Sequence, residues 1–129
     1  LDRVDQQKQK MGKEFLQLSG EDATALEFNL RGGSGCISVS ANVAPKLCSE
    51  FQEASLSKNN DNLLSRAKEI NDILMPLHKS LFIESNPSPV KYAASLLKLC
   101  SDEVRLPLVT VTPNTKDKIK SAMKNANLI

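Results

Sequence analysis

Tryptophan is absent from this 129-residue sequence, and aromatic residues make up only 4% of it. Stacking platforms for single-stranded nucleic acid are therefore not expected. A dominant charge is also lacking. With 17 Lys+Arg against 15 Asp+Glu the net charge is +2, too little for a nucleic-acid or anionic-membrane surface, so neither partner is expected. No apolar run approaches the roughly 20 residues of a spanning helix. The opening Leu1-Asp2-Arg3-Val4-Asp5-Gln6-Gln7 has no apolar leader and no initiator Met, which leads us to expect coding sequence upstream and no secretory signal. Cysteine is sparse: Cys36, Cys48 and Cys100 form no CxxC or Cys/His ligand spacing. They read as reduced thiols filling a core in a cytoplasmic protein, with no metal and no cofactor implied.

What is present is an ordered sequence of α/β signals. Residues 2–11 are polar with Val4 and Met11 apolar, and Gly12 is a natural helix stop. Residues 14–18, Glu-Phe-Leu-Gln-Leu, predict a buried strand running into Ser19-Gly20. Glu21 and Asp22 place acidic groups at the first turn of a helix over 23–30, which Gly32-Gly33 ends. Residues 36–41, Cys-Ile-Ser-Val-Ser-Ala, predict a second strand, and Pro45 opens another helix carrying Leu47, Phe51 and Ala54 on one face. Two strands joined by a helix imply a right-handed βαβ unit. Such a pair is buried on both faces and requires neighbours that these residues do not supply.

Beyond this point the pattern is helical. Asn59-Asn60-Asp61 breaks one helix and caps the next. That helix carries Leu63, Ala67, Ile70, Leu74, Leu77 and Leu81 at helical spacing, with Pro76 expected to kink or divide it. Asn86-Pro87-Ser88-Pro89 starts a helix that should turn Val90, Ala94, Leu97 and Cys100 inward. Residues 105–113 read as extended between prolines. Asn114-Thr115 should cap a last helix with Ile119, Ala122, Met123 and Ala126 buried, leaving Lys116, Lys118, Lys120 and Lys124 mostly solvated. The expected division is 1–58 for terminal βα units and 59–129 for a helical C-terminal region.

Single motifs carry little chemistry. Arg31-Gly32-Gly33-Ser34-Gly35 looks like a phosphate cradle, but such a loop follows a strand and opens a helix. Here it closes a helix and opens a strand, which favours a helix cap with close packing. His78, the only histidine, has no second ligand at metal spacing, and a helix-surface role is the expectation. Spacing does not exclude a Ser-His-Asp arrangement, since triads assemble from distant residues. Glu21 and Asp22 follow a strand, where α/β folds place their chemistry, although helix capping is the commoner role.

The composite pattern is more specific. Leu18-Ser19-Gly20-Glu21-Asp22-Ala23, then 32–43 (Gly-Gly-Ser-Gly-Cys-Ile-Ser-Val-Ser-Ala-Asn-Val), Leu74-Met75-Pro76-Leu77-His78, Asn86-Pro87-Ser88-Pro89-Val90-Lys91 and Arg105-Leu106-Pro107-Leu108 resemble, in order, the closing stretch of the dihydrodipicolinate synthase family. The Asn-Pro-x-Pro-Val-Lys element separates it from siblings such as N-acetylneuraminate lyase. The resemblance implies the last two strands of a (β/α)8 TIM barrel followed by a mainly helical region, usually in a homo-oligomer. It implies a class I lyase of lysine and diaminopimelate biosynthesis, in which a lysine forms a Schiff base with pyruvate and the enamine attacks aspartate semialdehyde.

Residue by residue, the resemblance places Gly20 and Ile37 in the pyruvate pocket as substrate-binding positions. It also implies that the Schiff-base lysine of a Gly-x-Lys-Glu motif, two carboxylate-binding threonines, a proton-relaying tyrosine and an arginine belong to a segment upstream of Leu1. Lys8, Lys10 and Lys13 lie on or beside a polar helix and do not replace that lysine. The expectation is a C-terminal portion without catalytic activity of its own. Two alternatives remain: a non-catalytic module that self-associates or completes an N-terminal half, and a sibling pyruvate-dependent aldolase.

Overall fold

The computed structural model describes residues 1–57 and 60–129. The expected boundary between residues 58 and 59, and Asn59 of the expected helix break, fall outside the described residues. Six α-helices are found among them: α1 (Asp2–Met11), α2 (Ala25–Leu30), α3 (Pro45–Leu56), α4 (Asp61–Ser80), α5 (Ser88–Leu96) and α6 (Pro113–Asn125). Two 3-10 turns, Asp22–Thr24 and Ser40–Asn42, lie between the early helices.

The core forms where α4 packs between α3 and α6. Ala67, Ile70, Leu74 and Leu77 along one stripe of α4, and Leu81 at its C-cap, are fully buried in one core with Phe51 and Ala54 of α3 and Ile119 and Met123 of α6. Helix α4 starts where the Asn60 side chain accepts the N–H groups of Asn62 and Leu63, as its cap residue type predicts. It runs continuously through Pro76. The expected division there does not occur, because the buried stripe continues on both sides of the proline and holds the two halves on one core.

Other expectations shift by one or two residues. The last helix is capped by Thr112, whose hydroxyl accepts the Thr115 N–H, and not by Asn114-Thr115. Thr112 also donates its own N–H and hydroxyl to Glu84 Oε1, at 3.0 and 2.7 Å, which fixes the entry to α6. In α5, Pro89, Tyr92 and Ala93 are buried and the expected Val90, Ala94 and, at the C-cap, Leu97 pack partly buried against the core, whereas Cys100 is exposed beyond the helix end. The helix stops at Leu96 and Lys98 takes a positive φ of 60°, so the periodicity does not extend to residue 100. Lys116 lies 5.0 Å over the Tyr92 ring and pairs with Asp102, while Lys118, Lys120 and Lys124 are exposed as expected.

The two predicted strands come together only in part. Among the described residues no extended strand forms; one isolated parallel bridge joins Ser19 to Cys36. Ser19 N–H donates to Gly35 O and Ile37 N–H donates to Ser19 O, both at 2.8 Å, the alternation of a parallel pair. Ser34 N–H reaches Gln17 O one residue out of that register. Gly35, at φ 147°, bends the backbone there, so the ladder is interrupted after one bridge. Residues 40–41, expected in the strand, belong to the 3-10 turn. The expected burial of residues 14–18 is inverted: Gln17 and Ser19 are buried against the helices, while Leu16 is 76% and Leu18 55% exposed.

Candidate functional site

Gly20 and Ile37 are brought side by side. The carbonyl that accepts the Ile37 N–H belongs to the Ser19–Gly20 peptide, so the two positions share one hydrogen-bonded junction. Ile37 is 72% exposed, and a Cβ built on Gly20 meets nothing within 4 Å. Both residues face open space on the side where Leu16 and Leu18 project.

Glu21 and Asp22 divide their duties. Glu21 accepts the Ala23 N–H at 3.2 Å and is exposed, a local cap. Asp22 is buried and does something sequence reasoning missed. Its Oδ2 accepts the N–H groups of Val39 at 2.9 Å and Ser40 at 3.2 Å. The carboxylate thereby ties the segment after Gly20 to the segment after Ile37 with charge-assisted bonds. This is also why the second segment leaves the extended conformation: its amides turn toward Asp22.

His78 is buried, contrary to the expected surface role. It is 4% exposed, and its Nδ1 shares a 2.7 Å hydrogen bond with Ser40 Oγ. Four residues after Leu74 and three before Leu81, it lies on the core stripe of α4, a signal present in the spacing. Burial pushes its pKa below the ordinary 6.5, against the opposing pull of the Asp22 and Glu21 carboxylates. The imidazole is therefore neutral at pH 7.

Asp22, Cys36, Ser38, Cys48, Leu74 and His78 border a cavity of about 310 Å³ behind the Gly20–Ile37 junction. Burial first, and then the Asp22 charge, push the Cys36 thiol up to about 11. Burial pushes Cys48 to about 11 as well, against a hydrogen bond from Ser38. Both thiols are protonated at neutral pH and are poor nucleophiles. A Ser, a His and an Asp do meet here, but the serine is fully buried and the Asp22 carboxylate accepts backbone N–H groups in place of an imidazole N–H. The arrangement braces backbone; it does not present a nucleophile.

The glycine-rich loop is committed to packing. Gly32 N–H donates to Asn29 O, Gly33 N–H to Phe28 O and Ser34 N–H to Gln17 O, so these amides close α2 and join the bridge. A Cβ on Gly33 would lie 2.2 Å from the Phe28 ring. The three consecutive donors that an anion would require are taken. Among the described residues, no group of three or more His, Cys, Asp or Glu side chains could hold a metal ion. No described helix is long and apolar enough to cross a membrane.

The sequence pattern of the dihydrodipicolinate synthetase family matches residues 1–126. A 4-hydroxy-tetrahydrodipicolinate synthase of Pelagibacter ubique is 64% identical over the whole chain, which spans 44% of that protein's length. The crystal structure of dihydrodipicolinate synthase from Aquifex aeolicus superposes with a TM-score of 0.89 at 38% identity, over 98% of this chain and 42% of its own. The chloride-inhibited dihydrodipicolinate synthase from Acinetobacter baumannii, complexed with pyruvate, gives 0.89 at 35% identity, over 99% and 43%. The chain thus spans less than half the length of the relatives it matches.

Proposed function

The chain belongs to the dihydrodipicolinate synthetase family, and from that membership we propose that it forms the C-terminal portion of a pyruvate-dependent synthase. The proposed reaction condenses pyruvate with aspartate semialdehyde in lysine and diaminopimelate biosynthesis. In this reading the two segments that meet at the Ser19–Cys36 bridge belong to the last two strands of a (β/α)8 barrel, and α4, α5 and α6 form the helical region outside it. In that setting the exposed apolar face of Leu16, Leu18 and Ile37 is lined by the remaining strands, which a barrel of roughly 250 residues requires.

The observation that carries this reading is the hydrogen-bonded junction between the Ser19–Gly20 peptide and Ile37, held at an open face. Glycine at position 20 is not demanded by the chain's own atoms, and its missing side chain leaves room for a ligand to approach the backbone. The chemistry is covalent amine catalysis. A lysine amine, supplied by the barrel's other strands, adds to the pyruvate ketone and water leaves, giving an imine. Loss of a methyl proton gives the enamine, whose carbon attacks the aldehyde of the second substrate. Gly20 and Ile37 bind and orient pyruvate; they exchange no proton.

By the same reading the 129-residue chain does not form the imine. Borohydride reduction with labelled pyruvate tests both halves of the proposal. The full-length protein should retain covalent label outside residues 1–129, and the isolated chain should retain none. Label on the isolated chain overturns the assignment of the amine, and no label on the full-length protein overturns the reaction.

A second reading follows from the same open face: the chain self-associates, or completes a separately made N-terminal half. The exposed apolar side chains of Leu16, Leu18 and Ile37, beside a single isolated bridge, favour pairing with another chain.

A further inference from the structure

Behind the Gly20–Ile37 junction runs a buried polar chain for which the proposed reaction has no direct use. Asp22 follows Gly20 by two residues, Ser40 follows Ile37 by three, and His78 belongs to α4. Asp22 Oδ2 accepts the Ser40 N–H at 3.2 Å, and Ser40 Oγ meets His78 Nδ1 at 2.7 Å. All three are almost wholly removed from solvent, at 5%, 0% and 4% exposure. Burying polar groups costs free energy unless each finds a partner, and here each partner lies on a different segment. The pairing fixes three segments relative to one another: the turn after Gly20, the turn after Ile37 and the long helix of the core.

We propose that His78 is a positioning residue for the pyruvate pocket, acting through Ser40 to hold the backbone of residues 36–40 and thereby to place Ile37 against Gly20. This rests on the pocket assignment given above. Helix α4 is anchored by its fully buried apolar stripe, so it serves as the rigid reference. The Ser40–His78 bond transfers that rigidity directly to a segment otherwise held by one isolated bridge, the two amide bonds to Asp22 and the partial packing of Cys36 and Val39 on the core. Loss of the bond lets the Ile37 wall drift, and a drift of about 1 Å in a positioning element is enough to weaken a site by one to two orders of magnitude.

The test uses the full-length protein and reads pyruvate half-saturation by borohydride trapping, beside kcat and thermal unfolding. Ser40→Ala and His78→Leu each remove the bond, and His78→Asn keeps a hydrogen-bonding atom near the Nδ1 position. In Ser40→Ala and His78→Leu, half-saturation and KM for pyruvate should rise on the order of tenfold while kcat changes by less than about threefold, the pattern of lost ground-state binding. The double variant should be no worse than either single one, and His78→Asn should return most of the affinity. Unchanged half-saturation in a folded Ser40→Ala protein overturns the proposal, as does a His78→Asn protein no better than His78→Leu. Should His78→Leu fail to fold, Ser40→Ala decides alone. Absence of trapping in the unaltered protein instead overturns the pyruvate reading and, with it, this inference.

Discussion

Asp22 Oδ2 accepts the backbone N–H of Ser40 at 3.2 Å, across a sequence separation of 18 residues, in addition to that of Val39. One carboxylate thus joins the two segments that carry Gly20 and Ile37. Removing it leaves one buried donor, at Ser40, and one partly buried donor, at Val39, without an acceptor. Bonds to a charged group contribute about 1.5–3 kcal/mol each, and orphaned donors cost a similar amount. Asp22→Ala should therefore destabilise the protein by about 2–4 kcal/mol. Asp22→Asn keeps one acceptor oxygen and should cost less. Denaturant unfolding with an unchanged m value measures the difference, and a loss below about 0.5 kcal/mol in Asp22→Ala would show that water replaces the carboxylate.

The lowered pKa of His78 makes stability depend on pH in a definite sense. The unfolded chain takes up a proton near the ordinary 6.5, and the folded one only at lower pH, because burial outweighs the attraction of Asp22 and Glu21. Below 6.5 the unfolded state therefore binds more protons, and stability falls with falling pH. The contribution is complete above the unfolded value and is lost progressively as pH drops toward the folded one. Around the imidazole the other ionisable groups are Cys36 and Cys48, whose raised pKa values keep them neutral across this window. His78→Asn should flatten the pH dependence of the unfolding midpoint between pH 7 and pH 5. A slope identical to that of the unaltered protein would place its source elsewhere.

Two glycines make opposite predictions. A Cβ on Gly33 would lie 2.2 Å from two carbons of the Phe28 ring and 2.9 Å from Phe28 O. Gly33→Ala therefore forces the ring aside and should cost about 1–3 kcal/mol, as overpacking does. Gly20→Ala meets no atom of the chain and should change stability by less than about 0.5 kcal/mol, within the usual surface range. Its effect should appear instead as lost pyruvate trapping in the full-length protein. A Gly20→Ala protein that traps pyruvate normally would remove Gly20 from the pocket.

The three thiols should react at different rates. Cys100 is exposed, whereas Cys48 is buried and Cys36 partly so. With both of the latter raised to about 11, their thiolate fraction at pH 8 is on the order of one in a thousand. A disulfide reagent should titrate one thiol per native chain quickly and the other two only on unfolding. Cys100→Ser should abolish the fast phase; its survival would mean that Cys36 or Cys48 is reachable through the cavity.

The sequence announced the helices and their buried stripes, because a 3.6-residue period and cap residues such as Asn60 are local signals. The proposal for Gly20 and Ile37 rests on resemblance alone, since an exposed glycine and an exposed isoleucine carry no chemical signature of their own. Asp22 and His78 were misjudged for a shared reason. Their partners stand 18 and 38 residues away, and local spacing reports capping and helix faces but not such bonds. Two strands were expected where the described residues form one isolated bridge. An apolar run gives strand tendency, but an extended ladder requires neighbours on both sides, and only one bridge is closed between these two segments.

The inverted burial of residues 16–19 supports a last prediction. Leu16, Leu18 and Ile37 are exposed at 76%, 55% and 72% while Gln17 and Ser19 are buried. Alternating residues of an extended segment point to opposite faces, so the apolar face is the uncovered one. Fully covering one such side chain contributes about 1.5–3 kcal/mol, a strong incentive for another chain to seal the face. The 129-residue chain should therefore self-associate in sedimentation runs as concentration rises. Leu16→Lys combined with Ile37→Lys should shift it toward monomer by placing like charges on the same face. Adding the N-terminal half of the proposed synthase should compete with self-association and restore pyruvate trapping in the mixture. A chain that remains monomeric at all concentrations and ignores the N-terminal half would show that this face needs no cover, against both the barrel assignment and the complementing module.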